Sequence, residues 1–202
     1  MQQFMREFPA AVLLGGWATY LRTGADKSHG IDVIVDHMTL GLLSARYALS
    51  PSSHVGGRKF QMELDGVEVD VYPVYQAKLG QRLKVPVEAI ADHAEFVQGL
   101  RTLAREALFV AKMAALLDRP DSLPGEKDRR ELWQLLTLNP VDHLDFALVG
   151  RILAGAGWSQ EEQAGFIEET FNYLAETDTL RPRDRPLLKT LRTKALTEIR
   201  AD

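Results

Sequence analysis

Ile31-Asp32-Val33-Ile34-Val35-Asp36 is rich in β-branched residues, which suits a strand. At a period of two, Asp32, Ile34 and Asp36 share one face. Upstream, the apolar run Ala10 to Leu14 ends in Gly15-Gly16, and Trp17 to Arg22 reads as a helix start. Downstream, Leu40 to Leu49 reads as a short helix, and Pro51 to Gly57 as a polar, glycine-containing loop. Lys59 to Leu64 and Val67 to Tyr72 then flank Asp65-Gly66, a strong hairpin signal. The order strand, helix, strand, helix, hairpin predicts a small mixed sheet carrying helices.

From Val87 onward the apolar spacing is helical. Leu100, Leu103, Ala107, Val110, Ala114 and Leu117 form one stripe at helical intervals, and Arg119-Pro120 ends it. Pro124-Gly125 reads as loop, Arg129 to Leu138 as a helix stopped near Asn139-Pro140. Val141 to Ala156, Gln160 to Thr177 and Arg185 to Arg200 supply three more helices. The expected architecture is α+β: a sheet-containing domain over residues 1–85, then an all-helical domain over 86–202. Gly80 and Pro86 mark the boundary between them.

Bulk properties narrow the function classes. A chain of 202 residues with 46% hydrophobic and 26% charged residues can bury a sizeable core. The net charge of −4 argues against a nucleic-acid coat or a polybasic membrane anchor, while leaving room for a local basic patch. Without cysteine there is no disulfide, thiolate zinc site or cysteine nucleophile, and a reducing cytoplasm fits. The apolar runs are too short to span a bilayer, and the N-terminus shows no secretory pattern.

The acids carry the chemistry. Glu68 and Asp70 share a face of the second hairpin strand, and the strand at Ile31 carries Asp32. Acidic positions on adjacent strands repel unless something positive compensates. Mg²⁺ takes such oxygens, usually through one or two carboxylates plus substrate phosphates. A solvated sheet face is the plainer account of each acid taken alone. Gly15-Gly16 between strand and helix offers bare backbone N–H groups to an anion; a tight turn is its plainer account. Lys27-Ser28 adds a cation and a hydroxyl. On the helix projected over 100–119, Arg101, Arg105, Lys112 and Arg119 fall opposite the apolar stripe, facing either phosphate or water. Histidines 29, 37, 54, 93 and 143 lack metal-ligand spacing, and His37 reads as a strand-end residue. The basic run from Arg181 to Lys194 reads either as an RNA-contacting face or, the plainer account, as a solvated face balancing Glu161, Glu162, Glu168 and Glu169.

Taken in order, Gly15-Gly16, Lys27-Ser28, Ile31-Asp32 and Val69-Asp70-Val71 resemble the nucleotidyltransferase superfamily, in particular minimal nucleotidyltransferases and AbiEii-like abortive-infection toxins. Ala111-Lys112-Met113-Ala114-Ala115, Arg119, Lys127-Asp128 and Leu135-Leu136 extend the resemblance to roughly residues 12–136. It implies Gly15, Gly16 and Ser28 against nucleotide phosphates, and Asp32 and Asp70 as metal-binding and catalytic acids. Asp70 would help deprotonate the attacking hydroxyl. Lys112 and Lys127 would neutralise phosphate charge or hold the helices against the sheet. Mg²⁺, with Mn²⁺ as its substitute, and an NTP substrate are implied.

One position departs from the pattern. Gly30 stands where the first aspartate of an Asp-x-Asp pair belongs. Asp26, Asp36 or Glu68 could compensate; Asp36 lies roughly 13 Å from Asp32 along an extended strand, too far for direct substitution, and Glu68, closer to Asp70, is the better candidate. Two functions follow. One is a Mg²⁺-dependent enzyme moving a nucleoside monophosphate from an NTP to a hydroxyl of a protein, RNA or small molecule. The other is an impaired relative that binds a nucleotide or a partner protein, such as an antitoxin.

Overall fold

The computed structural model describes residues 1–24, 27–52, 59–139, 143–176 and 180–201. The fold is α+β, a mixed seven-stranded sheet followed by a run of helices. Helix α1 (Gln2–Glu7) leads into β1 (Val12–Leu14), α2 (Gly15–Thr23), β2 (Ile31–Val35) and α3 (His37–Arg46). Three strands follow: β3 (Ser50–Ser52), β4 (Lys59–Leu64) and β5 (Val67–Pro73). The sheet order is β3-β4-β5-β2-β1 as far as residue 73. Strand β2 runs parallel to β5 and antiparallel to β1. Val33, Ile34, Val35, Val69 and Val71 are all buried, so the middle strands are mostly apolar apart from Asp32, Glu68 and Asp70.

The helical spacing read from Val87 onward is corrected over 94–103. After the short pair β6 (Lys78–Leu79) and β7 (Val85–Pro86) and helix α4 (Val87–Ala91), the chain returns to the sheet. Strands β8 (Ala94–Val97) and β9 (Leu100–Leu103) form a hairpin, and β9 lies parallel to β1 with Leu13 opposite Thr102. The Thr102 hydroxyl donates to the Leu13 carbonyl at 3.1 Å. Leu100 and Leu103 are buried as expected, but under the sheet rather than on a helix.

Helix α5 (Arg105–Asp118) therefore starts five residues later than Leu100, and Arg101 does not belong to its surface. Its guanidinium instead donates to the Ala10 carbonyl at 2.7 Å. Arg105 and Lys112 are buried, which corrects the solvated half of the basic-face reading for those two. Helix α6 (Leu123–Thr137) begins earlier than Arg129, and Pro124-Gly125 sits in its first turn. Ser122 caps it, accepting the Gly125 N–H at 3.0 Å. Helices α7 (Phe146–Gly155), α8 (Gln160–Ala175) and α9 (Arg185–Ile199) complete the chain. Residues 141–142 and 177, placed in helices from sequence, lie outside the described residues. Phe109, Phe146 and Phe171 join α5, α7 and α8 in one buried aromatic run. Among the described residues no helix is long and apolar enough to cross a membrane.

Candidate active site

Strand β1 passes into α2 without a linker. Leu14 is extended and has no capping side chain, and Gly15 turns the chain at φ +68°. Most residues avoid that backbone region. The first N–H groups of α2 are thus left without a side-chain cap, at the end of the helix that favours anions. Gly16 lets Ser28 come close: a Cβ on Gly16 would sit 2.7 Å from the Ser28 Cβ and 3.3 Å from the Lys127 Nζ.

The acids arrive from the two parallel strands. Asp32 on β2 and Asp70 on β5 are direct register partners. Burial, and then the neighbouring Asp70 carboxylate, push the Asp32 pKa up to about 6. Lys112 and Lys59 pull it down, and so does the Tyr72 hydroxyl, which donates to Asp32 Oδ1 at 3.4 Å. Burial, and then Asp32, in turn raise the Tyr72 pKa well above its usual value, so the ring stays a neutral donor. Asp70 Oδ2 accepts from the buried Lys59 Nζ at 2.6 Å. Its other oxygen, Oδ1, is buried and has no hydrogen-bond partner among the described residues.

Helices α5 and α6 supply the opposite wall. Lys112 donates to Asp128 Oδ1 at 3.2 Å and pairs with Glu131. Burial alone would lower the Lys112 pKa, but the attraction of Asp128 and Glu131 outweighs it and the net shift is upward. Arg119 donates to Asp128 Oδ2 through Nε and Nη2, at 3.0 and 2.8 Å. Lys127 is more loosely held, 3.8 Å from Glu131 and partly exposed.

These residues surround one cleft of about 620 Å³. Its lining includes the residues to which the resemblance gave a site role: Gly15, Gly16, Ser28, Asp32, Asp70, Lys112 and Lys127. Other singled-out groups lie elsewhere. Asp36 is not the third residue of an acidic strand face but the cap of α3, accepting the Thr39 N–H at 2.7 Å, which lowers its pKa. His37 is the first residue of that helix, not a strand end, and stacks on Tyr75. Glu68 is exposed and accepts from Gln61 at 3.0 Å. Asp26, His54 and the loop over 53–57 lie outside the described residues.

Sequence reasoning missed Lys59, Tyr72 and Glu131. A signal for Lys59 was present: a two-residue Asp65-Gly66 turn fixes the hairpin register and sets Lys59 beside the strand of Asp70. The far end of the cleft was also missed. There Asp118 accepts the N–H groups of Gln81 and Arg82 at 2.8 and 3.0 Å, fixing the turn that closes the cavity beyond Leu79.

No protein-family model matches the chain, and no curated protein matches it. Solved structures with a similar backbone course include an antigenic nucleotidyltransferase-like protein from Paracoccidioides brasiliensis. It is 15% identical with a TM-score of 0.45, over 93% of this chain and 88% of that one. JHP933 from Helicobacter pylori is 13% identical with a TM-score of 0.43, over 99% and 89% of the two chains. Both are likenesses of backbone course alone.

Proposed function

We propose that the cleft binds a nucleoside triphosphate and transfers its nucleoside monophosphate to a hydroxyl acceptor. The observation that carries this is the joining of an uncapped helix start, a register-matched acid pair and a wall of ion-paired basic side chains, with Lys127 the most loosely held, around one cavity. The volume suits a ligand of nucleotide size. The triphosphate lies against Gly15, Gly16 and Ser28, with Lys127 as its cation and Lys112 adding positive potential from behind. The acceptor oxygen bonds to the α-phosphorus, the bond from that phosphorus to the β-phosphate bridging oxygen breaks, and pyrophosphate leaves. The hydroxyl proton passes to the Asp70 carboxylate.

The acid pair fits a Mg²⁺ ion, or Mn²⁺ in its place. Two facts speak for it: the partnerless buried Oδ1 of Asp70, and the register that sets the buried Asp32 carboxylate beside Asp70. Asp32 and Asp70 would hold the ion, with phosphate oxygens completing its shell. When bound, such an ion offsets the charge of the phosphates and of the carboxylates. Among the described residues no three histidine, aspartate or glutamate side chains form a metal-holding group, and on this reading Asp32 and Asp70 are the ligands from the protein.

A second reading has its own support in Gly30, which brings no third acid. On that reading the cleft holds a nucleotide, or serves a partner such as an antitoxin, without turnover. Calorimetric titration with a non-hydrolysable NTP separates the two. Binding that needs Mg²⁺ and is lost in Asp32→Ala and Asp70→Ala supports the transferase. Binding that survives EDTA supports the second reading. No binding under either condition removes the nucleotide from both.

A further inference from the structure

Lys59 is buried, yet its ammonium is directed at a carboxylate on the cleft wall rather than at solvent. A charge drawn out of water in this way is costly unless its surroundings return the cost. Here the return is the acid pair. Lys59 holds Asp70 Oδ2 and also lies 5.5 Å from the centroid of the Tyr72 ring, whose hydroxyl reaches Asp32. The lysine therefore touches both halves of the carboxylate system.

We propose that Lys59 is a resident cation standing in for a second divalent ion, so that the cleft loads a nucleoside triphosphate with one divalent ion. The proposal rests on the nucleotide reading above. In-line phosphoryl chemistry is often run between two divalent ions, which together need more carboxylate than Asp32 and Asp70 supply. Position 30 offers none, and Glu68 is turned to Gln61. Charge is conserved by the exchange. Removing one carboxylate and one divalent ion takes away one net positive charge, and one ammonium returns it. Lys59 already occupies Asp70 Oδ2, whereas Asp70 Oδ1 has no hydrogen-bond partner among the described residues and Asp32 lies beside it in register on the cleft wall. The geometry leaves one place for a divalent ion between the two acids, and none at Oδ2, where the ammonium sits.

The test is Mn²⁺ binding followed by electron paramagnetic resonance, on the protein alone and with a non-hydrolysable ATP analogue. Wild type, Lys59→Met and Lys59→Arg are compared, each first checked for folding by circular dichroism. The expected result is one Mn²⁺ per nucleotide-loaded wild-type chain. Lys59→Met binds Mn²⁺ at least about tenfold more tightly in the nucleotide-free protein, because a neighbouring positive charge has gone. Lys59→Arg behaves as wild type. Two Mn²⁺ ions on the loaded wild type overturn the proposal. So does a Lys59→Met affinity indistinguishable from wild type, including no binding by either. Failure of the ATP analogue to bind defeats the nucleotide reading instead, and the Mn²⁺-only comparison then decides the role of Lys59 by itself. If Lys59→Met does not fold, Lys59→Gln takes its place with the same expectations.

Discussion

Gly15 is pressed against Asp32: a Cβ added at position 15 would lie 2.3 Å from Asp32 Oδ2 and 2.9 Å from its Cγ. The turn that opens α2 and the acid of β2 therefore occupy their places together. Gly15→Ala strains a backbone at φ +68° and drives the carboxylate from its position. The expected loss is about 1–3 kcal/mol, read by urea unfolding. Nucleotide affinity falls in the same variant. A Gly15→Ala protein with unchanged stability would show that the turn is not built as described.

Asp32 links stability to pH. Its folded pKa, about 6, lies above the ordinary 3.8. A raised pKa means the folded state binds the proton more tightly. The associated stabilisation is complete below about pH 4 and disappears as pH rises through 6. Asp32→Asn escapes that loss. It should exceed wild type in stability by about 3 kcal/mol above pH 7, and the gap should close below pH 4. Parallel thermal melts across this range check it; a gap independent of pH would contradict it.

Lys112 and Lys127 line the same cleft, but their substitutions separate. Lys112→Met leaves the Glu131 carboxylate, 2% exposed, with only the loose Lys127 contact while Asp128 keeps Arg119, and should cost about 3 kcal/mol. Lys127 is held at 3.8 Å with its side chain 30% exposed, so Lys127→Met should change stability by less than about 1 kcal/mol. Lys127→Met should instead weaken triphosphate binding and flatten its dependence on salt. Denaturant curves and titrations at two ionic strengths distinguish the pair.

Gly30→Asp tests what the site lacks. Among the described residues a Cβ at position 30 meets only the Glu68 carbonyl oxygen, at 3.5 Å, an ordinary contact. The variant should fold with a melting temperature close to wild type. Its new carboxylate should tighten Mn²⁺ binding, measured calorimetrically. Weaker or unchanged binding would count against a cation site at the acid pair.

Local patterns made much of this legible from sequence. The strand at Ile31 and the Asp65-Gly66 hairpin follow from period-two alternation and turn chemistry, both confined to a few residues. Seven residues drawn from that reading line one cleft, because register places Asp70 opposite Asp32. The segment over 94–103 misled because Leu100 and Leu103 happen to continue the apolar spacing of α5. The overlooked signal was Gln98-Gly99, a two-residue turn with φ values of +51° and +79°. Asp36 misled because an aspartate ending a strand pattern is equally suited to cap the next helix. The partners of Lys112 were beyond reach: packing α5 against α6, not spacing along either, brings Asp128 and Glu131 to it.

The seat of β9 beside β1 also matters while the protein is being made. Leu13 and Thr102 are 89 residues apart in the chain, so the nascent polypeptide carries β1 with one bare edge until β9 has left the ribosome. Until then Val12, Leu13 and Leu14 offer unpaired backbone groups to any neighbouring strand, including that of another copy. A fragment ended at residue 85 would keep Asp32, Asp70 and Lys59 yet remain in this exposed state. The acid pair and its lysine are thus tied to the synthesis of a strand that contributes no side chain to the cleft.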